Sequence, residues 1–177
     1  MSRSSGSTDR LRMKGVGKFG EVLAAEKGKV SYDELAVRLE KIIRSGSRRK
    51  AIMEFVCREL RKVPHYSWVG IYAVEGTDLV LEAWSGPSAT QHTRIPSGEG
   101  ICGAAVEEKS TIVVPDVSKD PRYLPCFLNT QSEIVVPVMK DGSAVAEIDI
   151  DSERLDAFSP TDRAFLESVS EELASIV

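Results

Sequence analysis

Two of the three cysteines in this 177-residue chain lie in segments whose composition suggests chemistry. Cys102 stands between two glycines in the stretch GEGICGAAV, residues 98–106, which predicts the start of a helix. Free N–H groups at a helix N-terminus stabilise negative charge, so this position favours the thiolate, the reactive form of a thiol. The alternative is a small buried side chain without chemistry, because free cysteines are among the most buried residues.

Cys126 lies in the irregular stretch SKDPRYLPCFLNTQ, residues 118–131. A loop of this length inside a compact domain is often functional. Cys57, in contrast, falls inside a helical apolar pattern and is predicted to belong to the core. Three cysteines without a framework spacing fit a reducing compartment, where structural disulfides are rare.

Acidic residues occupy positions on the predicted strands where apolar side chains are expected. Glu133 stands just before an apolar run, and Glu147, Asp149 and Asp151 alternate with isoleucines in AEIDIDS. Because successive strand residues point to opposite faces, these three acids share one face. A solvated outer face explains the alternation. A pocket would explain it too, since clustered carboxylates raise one another's pKa and provide a general acid at neutral pH.

Two aromatic residues also share a strand face, because Trp68 and Tyr72 are four positions apart in a strand-like segment. Aromatic side chains in such positions usually belong to the core. The pattern alone therefore predicts a structural role for both.

The elements that position these residues follow from hydrophobic periodicity. Two helices come first, then strands with one short inserted helix, and a closing helix capped by Ser159 with Pro160 in its first turn. Antiparallel hairpins with helices at both ends indicate an α+β fold, with about six antiparallel strands and the terminal helices on one face. The predicted helices are residues 31–47, 47–63, 98–109 and 158–177, and the predicted strands are residues 66–76, 78–86, 92–96, 111–117, 132–140 and 143–152.

Composition sets limits on the function. Hydrophobic residues make up 42% and charged residues 28% of the chain, as in ordinary globular proteins, and the net charge of −4 argues against a nucleic-acid partner. No apolar run approaches the ~18 residues of a membrane span, and a signal-peptide core is not found, so we expect a cytoplasmic protein. Residues 1–30 are predicted to be a flexible or partly ordered extension, and residues 31–177 the domain.

The segment from Trp68 to Ser152 resembles the GAF-domain free methionine-(R)-sulfoxide reductases. The residues that carry the resemblance are WVGIY, TRIPSGEGICGAAV, PDV, Cys126 with SEIVVPV starting six residues on, and IDIDS. The likeness extends over residues 40–177 and implies a GAF fold. It also implies a homodimer, because GAF domains often dimerise through their terminal helices.

In that family, a cysteine attacks the sulfur of free methionine-(R)-sulfoxide, methionine leaves and a sulfenic acid remains. A second cysteine converts it to a disulfide, which thioredoxin reduces. The resemblance makes Cys126 the nucleophile and Cys102 its resolving partner, although the reverse assignment stays open. No cofactor is required.

The resemblance also assigns the acids and the aromatic pair. Glu133, Asp149 and Asp151 would bind the substrate ammonium, and one of them would protonate the leaving oxygen. Trp68 and Tyr72 would form the wall of the pocket around the methyl-sulfoxide end.

One position departs from the family pattern. Many members carry a third cysteine ten residues before the cysteine of GICG, where this chain has His92. This histidine could be inert, could lower a thiol pKa, or could join Cys102 and Cys126 as a metal ligand. A metal is not expected, because a structural zinc site needs four ligands. The departure leaves a second function open, a small-molecule-binding or redox-sensing GAF module without turnover.

Overall fold

The computed structural model describes residues 31–177, and the predicted extension over residues 1–30 lies outside this part of the chain. A short 3-10 turn, Val117–Lys119, lies in the irregular segment. The described elements are, in chain order, α1 (Tyr32–Ile43), α2 (Arg49–Leu60), β1 (Trp68–Glu75), β2 (Asp78–Ser85), β3 (Arg94–Pro96), α3 (Gly100–Glu108), β4 (Ile112–Val114), β5 (Ser132–Lys140), β6 (Ser143–Ser152) and α4 (Pro160–Leu173).

The six strands form one sheet in the order β3-β2-β1-β6-β5-β4, and every neighbouring pair is antiparallel. The hairpin between β5 and β6 turns at Asp141 and Gly142, both with positive φ, which is the backbone that an Asp-Gly turn provides. This register places β6 between β1 and β5 at the centre of the sheet. The predicted α+β architecture is confirmed.

Helices α1, α2 and α4 pack on one face of the sheet and form an apolar core with it. Ile148 and Ile150 of β6 point into this core, and so does Cys57 of α2, which is fully buried as predicted. Helix α4 begins at a reciprocal capping box, in which Ser159 and Asp162 satisfy each other's backbone N–H groups. The terminal helices therefore lie on one face, as expected.

The opposite face of the sheet is covered by α3 and by the irregular segment that follows β4. Side chains from β1, β5 and α3 form a second apolar cluster there, including Trp68, Tyr72, Cys102 and Val135. Both faces of the central strands are consequently shielded from solvent. Among the described residues, the helices are too short or too polar to cross a membrane.

Candidate active site

The acids of β5 and β6 point to the face covered by α3. Asp149 pairs with Gly70 of β1 and with Val135 of β5, whereas Asp151 pairs with Trp68 and Glu133. Exposure is 6% for Glu133 and 2% for both aspartates. The interpretation that these acids lie on a solvated outer face, which the alternation allowed, is therefore wrong. The sheet turns its isoleucines towards the helices and its carboxylates towards a closed interior.

Burial raises the pKa of every acid in this cluster, and repulsion between carboxylates adds to this effect for Glu133 and Asp149. Burial is the main cause for Asp149, and the negative charges of Glu133 and Asp151 raise its pKa further. Burial also raises the pKa of Asp151 to about 7 and that of Glu147 to about 8. The cluster can therefore hold protons at neutral pH, which is the property that a general acid needs.

Several carboxylate oxygens of this cluster have no hydrogen-bond partner within the described part of the chain. They are both oxygens of Glu147, Oδ1 of Asp149 and Oδ2 of Asp151, and the buried hydroxyl of Tyr123 is likewise unpartnered. Buried polar groups in proteins are normally paired, because an unmet acceptor loses its solvation without compensation. These oxygens indicate a site for a donor-rich, positively charged ligand.

Cys102 lies directly against this cluster, in the first turn of α3. Its Sγ and one carboxylate oxygen each from Glu133 and Asp149 all lie within 4.8 Å of one another. Burial raises the pKa of the Cys102 thiol well above its usual value, and the charges of Asp149, Glu147 and Glu133 add to this effect. The expectation that the helix N-terminus favours the thiolate is therefore wrong.

The glycines around Cys102 serve packing. A Cβ on Gly103 would stand 2.7 Å from the backbone nitrogen of Gly98, so only glycine lets α3 approach the turn before it. Gly100 has a φ of +70°, a conformation that favours glycine. The GEGICG motif thus determines where α3 begins and positions the Cys102 thiol next to the acids.

Cys126 approaches the same acids from the irregular segment. Its side chain is partly buried, and its thiol donates to the carbonyl oxygen of Leu124 at 3.5 Å. Burial is the main cause of the raised pKa of this thiol, and the negative charges of Asp149, Asp151 and Glu133 raise it further. Cys102 and Cys126 are both free thiols that experience the field of one carboxylate cluster.

His92 stands beside the Cys126 segment without joining the acids. One ring nitrogen lies 3.4 Å from the carbonyl oxygen of Pro125, and the backbone oxygen of His92 accepts a hydrogen bond from Tyr72 at 2.9 Å. The close group of potential metal ligands among the described residues is Cys102, Glu133 and Asp149, and it excludes His92.

Trp68 provides an aromatic wall next to the carboxylates. Its ring stacks on Trp84 with 6.4 Å between centroids, tilts against Phe127 at 5.6 Å, and donates from Nε1 to the backbone oxygen of Ser88 at 3.2 Å. A cavity of about 270 Å³ opens here, lined in part by Trp68, Phe127, Thr130 and Asp151. A larger cavity of about 620 Å³, lined by residues 113–116, 119–121 and 155–156, contains none of these side chains.

The structure thus brings together all seven side chains predicted for the site, Cys126, Cys102, Glu133, Asp149, Asp151, Trp68 and Tyr72. No role was predicted for Phe127, because its irregular segment has no periodicity to interpret. Glu147 was expected on the acidic face of β6 but received no predicted role, although both oxygens of this residue are buried.

Comparison with known proteins identifies this architecture. The family model for the GAF domain matches residues 47–177. The chain belongs to the GAF domain family. Within that family it groups with the free methionine-R-sulfoxide reductases, as the motifs indicated.

Three relatives illustrate the grouping. The chain is 38% identical to the free methionine-R-sulfoxide reductase of Saccharomyces cerevisiae over 108 residues, which is 59% of each protein. It is 42% identical to the solved type II free methionine-R-sulfoxide reductase of Thermoplasma acidophilum, with a TM-score of 0.69, covering 78% of this chain and 94% of the other. It is 34% identical to the enzyme of Neisseria meningitidis in complex with its substrate, with a TM-score of 0.78, covering 86% and 91%.

Proposed function

We propose that this protein reduces free methionine-(R)-sulfoxide to methionine with a thiol mechanism. The observation that carries the proposal is a buried carboxylate cluster of raised pKa that faces two free thiols beside an aromatic wall. The relatives named as free methionine-R-sulfoxide reductases support the same activity.

The unpartnered oxygens of Asp149 and Asp151 suit the ammonium of a free amino acid. An ammonium offers three N–H donors and one positive charge, which offsets the repulsion among the carboxylates. Trp68 lines the 270 Å³ cavity, where its ring can contact the methyl group of the sulfoxide. A peptide bond in place of the ammonium removes the charge that the cluster requires.

The first chemical step forms a sulfenic acid. The sulfur of Cys126 attacks the sulfoxide sulfur and forms a transient S–S bond. The S–O bond of the substrate then breaks, the oxygen passes to Cys126 as a hydroxyl group, and the S–S bond breaks as methionine leaves. The thiol proton goes to a carboxylate, and a protonated acid of the pair Asp149 and Asp151 supplies a proton to the oxygen. The ammonium of the bound substrate favours thiolate formation, because it counters the charges that raise the Cys126 pKa.

The second step forms a disulfide. The sulfur of Cys102 attacks the sulfenic sulfur of Cys126, and the hydroxyl group leaves as water after taking up a proton. Burial supports this division of roles, because Cys126 is partly exposed in the segment beside the cavity, whereas Cys102 is only 5% exposed. Thioredoxin then reduces the disulfide by thiol exchange.

A coupled assay with NADPH, thioredoxin reductase and thioredoxin tests the proposal. We expect NADPH consumption with the R sulfoxide of free methionine and none with the S sulfoxide. Cys126→Ser abolishes this activity, whereas the matched control Cys57→Ser, in the core of α2, keeps it. Full single-turnover methionine release by the Cys126 variant would transfer the nucleophile role to Cys102. Binding of the sulfoxide without turnover in the wild type would support the sensing alternative.

The assembly and location are part of the same proposal. We place the protein in the cytoplasm as a homodimer that pairs through its terminal helices. Membership of the GAF domain family supports this assembly, because GAF domains often dimerise through their terminal helices. Light scattering after gel filtration measures the mass, and a monomer at micromolar concentration would refute the dimer.

A further inference from the structure

The deepest part of the site has the composition of a metal centre. Sγ of Cys102 and one oxygen each of Glu133 and Asp149 lie within 4.8 Å of one another, and all three side chains are buried. A thiolate with two carboxylates is a donor set that Zn²⁺ and its heavier analogue Cd²⁺ accept. The three ligands come from α3, β5 and β6, so the sheet register and the packing of α3 hold them together.

The unpartnered oxygens provide a second and independent observation. Oδ1 of Asp149 belongs to a side chain that is 2% exposed, and it has no hydrogen-bond partner within the described residues. Both oxygens of Glu147, two positions along the same face of β6, are in the same situation. The cluster therefore gathers several groups that become negatively charged when they ionise, and a bound cation would compensate those charges.

The spacing is compatible with coordination. Zinc bonds of about 2.3 Å to sulfur and about 2.0–2.2 Å to oxygen place tetrahedral ligand atoms roughly 3.3–3.6 Å apart. The three ligand atoms lie within 4.8 Å of one another, so they would have to approach by up to about 1 Å on binding, and a water molecule would complete a four-coordinate site.

We propose that the reduced protein binds one Zn²⁺ or Cd²⁺ ion through Cys102, Glu133 and Asp149, and that this ion and methionine sulfoxide exclude each other. Binding forms one metal–sulfur and two metal–oxygen bonds, and it releases to solvent the thiol proton of Cys102 and any proton that Glu133 or Asp149 holds, with no change of oxidation state. The exclusion rests on the proposed function, since the substrate ammonium uses the same carboxylates. The metal site itself does not depend on it.

The proposal has a consequence for regulation. A metal-bound Cys102 cannot attack a sulfenic acid, so the ion holds the enzyme in a reversibly inhibited and oxidation-resistant form. Activity would return when a chelator removes the ion, because the ion binds reversibly and leaves the Cys102 thiol chemically unmodified.

Direct metal binding is the test. The reduced full-length protein is freed of metal with a chelator, exchanged into chelator-free buffer and titrated with Cd²⁺, whose thiolate complexes absorb in the ultraviolet. We expect a charge-transfer band that saturates at one ion per chain, and one Zn²⁺ that displaces the Cd²⁺. Cys102→Ser abolishes the band, and Glu133→Gln or Asp149→Asn weakens binding tenfold or more. These amide variants remove charge repulsion from the core, so they are expected to fold.

Two controls make the outcome specific. Cys57→Ser and Cys126→Ser retain the band, because neither sulfur belongs to the ligand group. In Cys126→Ser, which lacks the proposed nucleophile, methionine sulfoxide displaces the ion. A band that persists in Cys102→Ser, or that vanishes in Cys126→Ser, overturns the metal site. Saturable binding in a protein without reductase activity would leave the metal site standing and refute the function instead.

Discussion

The pKa of Glu147 makes the stability of the protein depend on pH. This carboxyl is fully buried, both of its oxygens are unpartnered, and burial raises its pKa from 4.5 to about 8. Between these values the folded state holds a proton that the unfolded state has released. The contribution of this group to stability is therefore fully present below pH 4.5 and is lost as the pH rises towards 8, by about 1.4 kcal/mol per pH unit. From pH 5 to pH 7 the loss is about 3 kcal/mol.

Glu147→Gln isolates this contribution, because the amide keeps the size of the side chain and cannot ionise. Urea unfolding from pH 5 to pH 8, with a thiol reductant and a chelator present, should show a flatter pH dependence for the variant. The two proteins should have similar free energies of unfolding at pH 5, and the variant should be more stable at pH 7. Glu171→Gln, at an exposed position of α4, is the matched control and should follow the wild type. Parallel curves for Glu147→Gln and the wild type would show that the carboxyl ionises without cost and would refute the reasoning.

Three further outcomes follow from the site geometry. Gly86→Ala places a Cβ 2.1 Å from the Trp68 ring, so we expect a loss of about 1–3 kcal/mol in the free energy of unfolding and a changed near-ultraviolet circular dichroism spectrum. An unchanged spectrum and a fully active variant would contradict a fixed aromatic wall. Asp149→Asn should lower turnover by roughly a hundredfold, while peroxide still forms the disulfide between Cys102 and Cys126; equal turnover would exclude this carboxyl as the acid. Peptide-bound methionine sulfoxide should react far more slowly than the free amino acid in the coupled assay, and equal rates would remove the ammonium site from the proposal.

Local signals in the sequence predicted much of the fold. The Asp141–Gly142 turn, the alternation along β6 and the cap at Ser159 each act through neighbouring residues, and each appears in the structure where it was expected. These features determine the hairpin of β5 and β6 and the start of α4. They depend on backbone conformation and period, which short segments specify by themselves.

The burial of the acids could not be predicted from such local signals. Alternation in β6 is compatible with a solvated face or a closed one, and the outcome depends on what covers the strand. Here α3 and the irregular segment containing Cys126 provide the cover, and such a segment has no period from which to predict its path. For Cys102, the local argument from the helix N-terminus favoured the thiolate. Burial among Asp149, Glu147 and Glu133 acts more strongly in the opposite direction.

The same physical feature explains the cost and the selectivity of the site. Buried carboxyls without partners destabilise the folded protein as they ionise. The apolar core between the sheet and α1, α2 and α4 provides stability that offsets this loss. A positively charged ligand relieves the repulsion and stabilises the folded state by binding to it alone. The two proposed occupants, the ammonium of a free amino acid and a divalent ion, both carry that charge. An uncharged peptide nitrogen does not carry it. The acid cluster therefore favours binding of free methionine sulfoxide over the same side chain within a polypeptide.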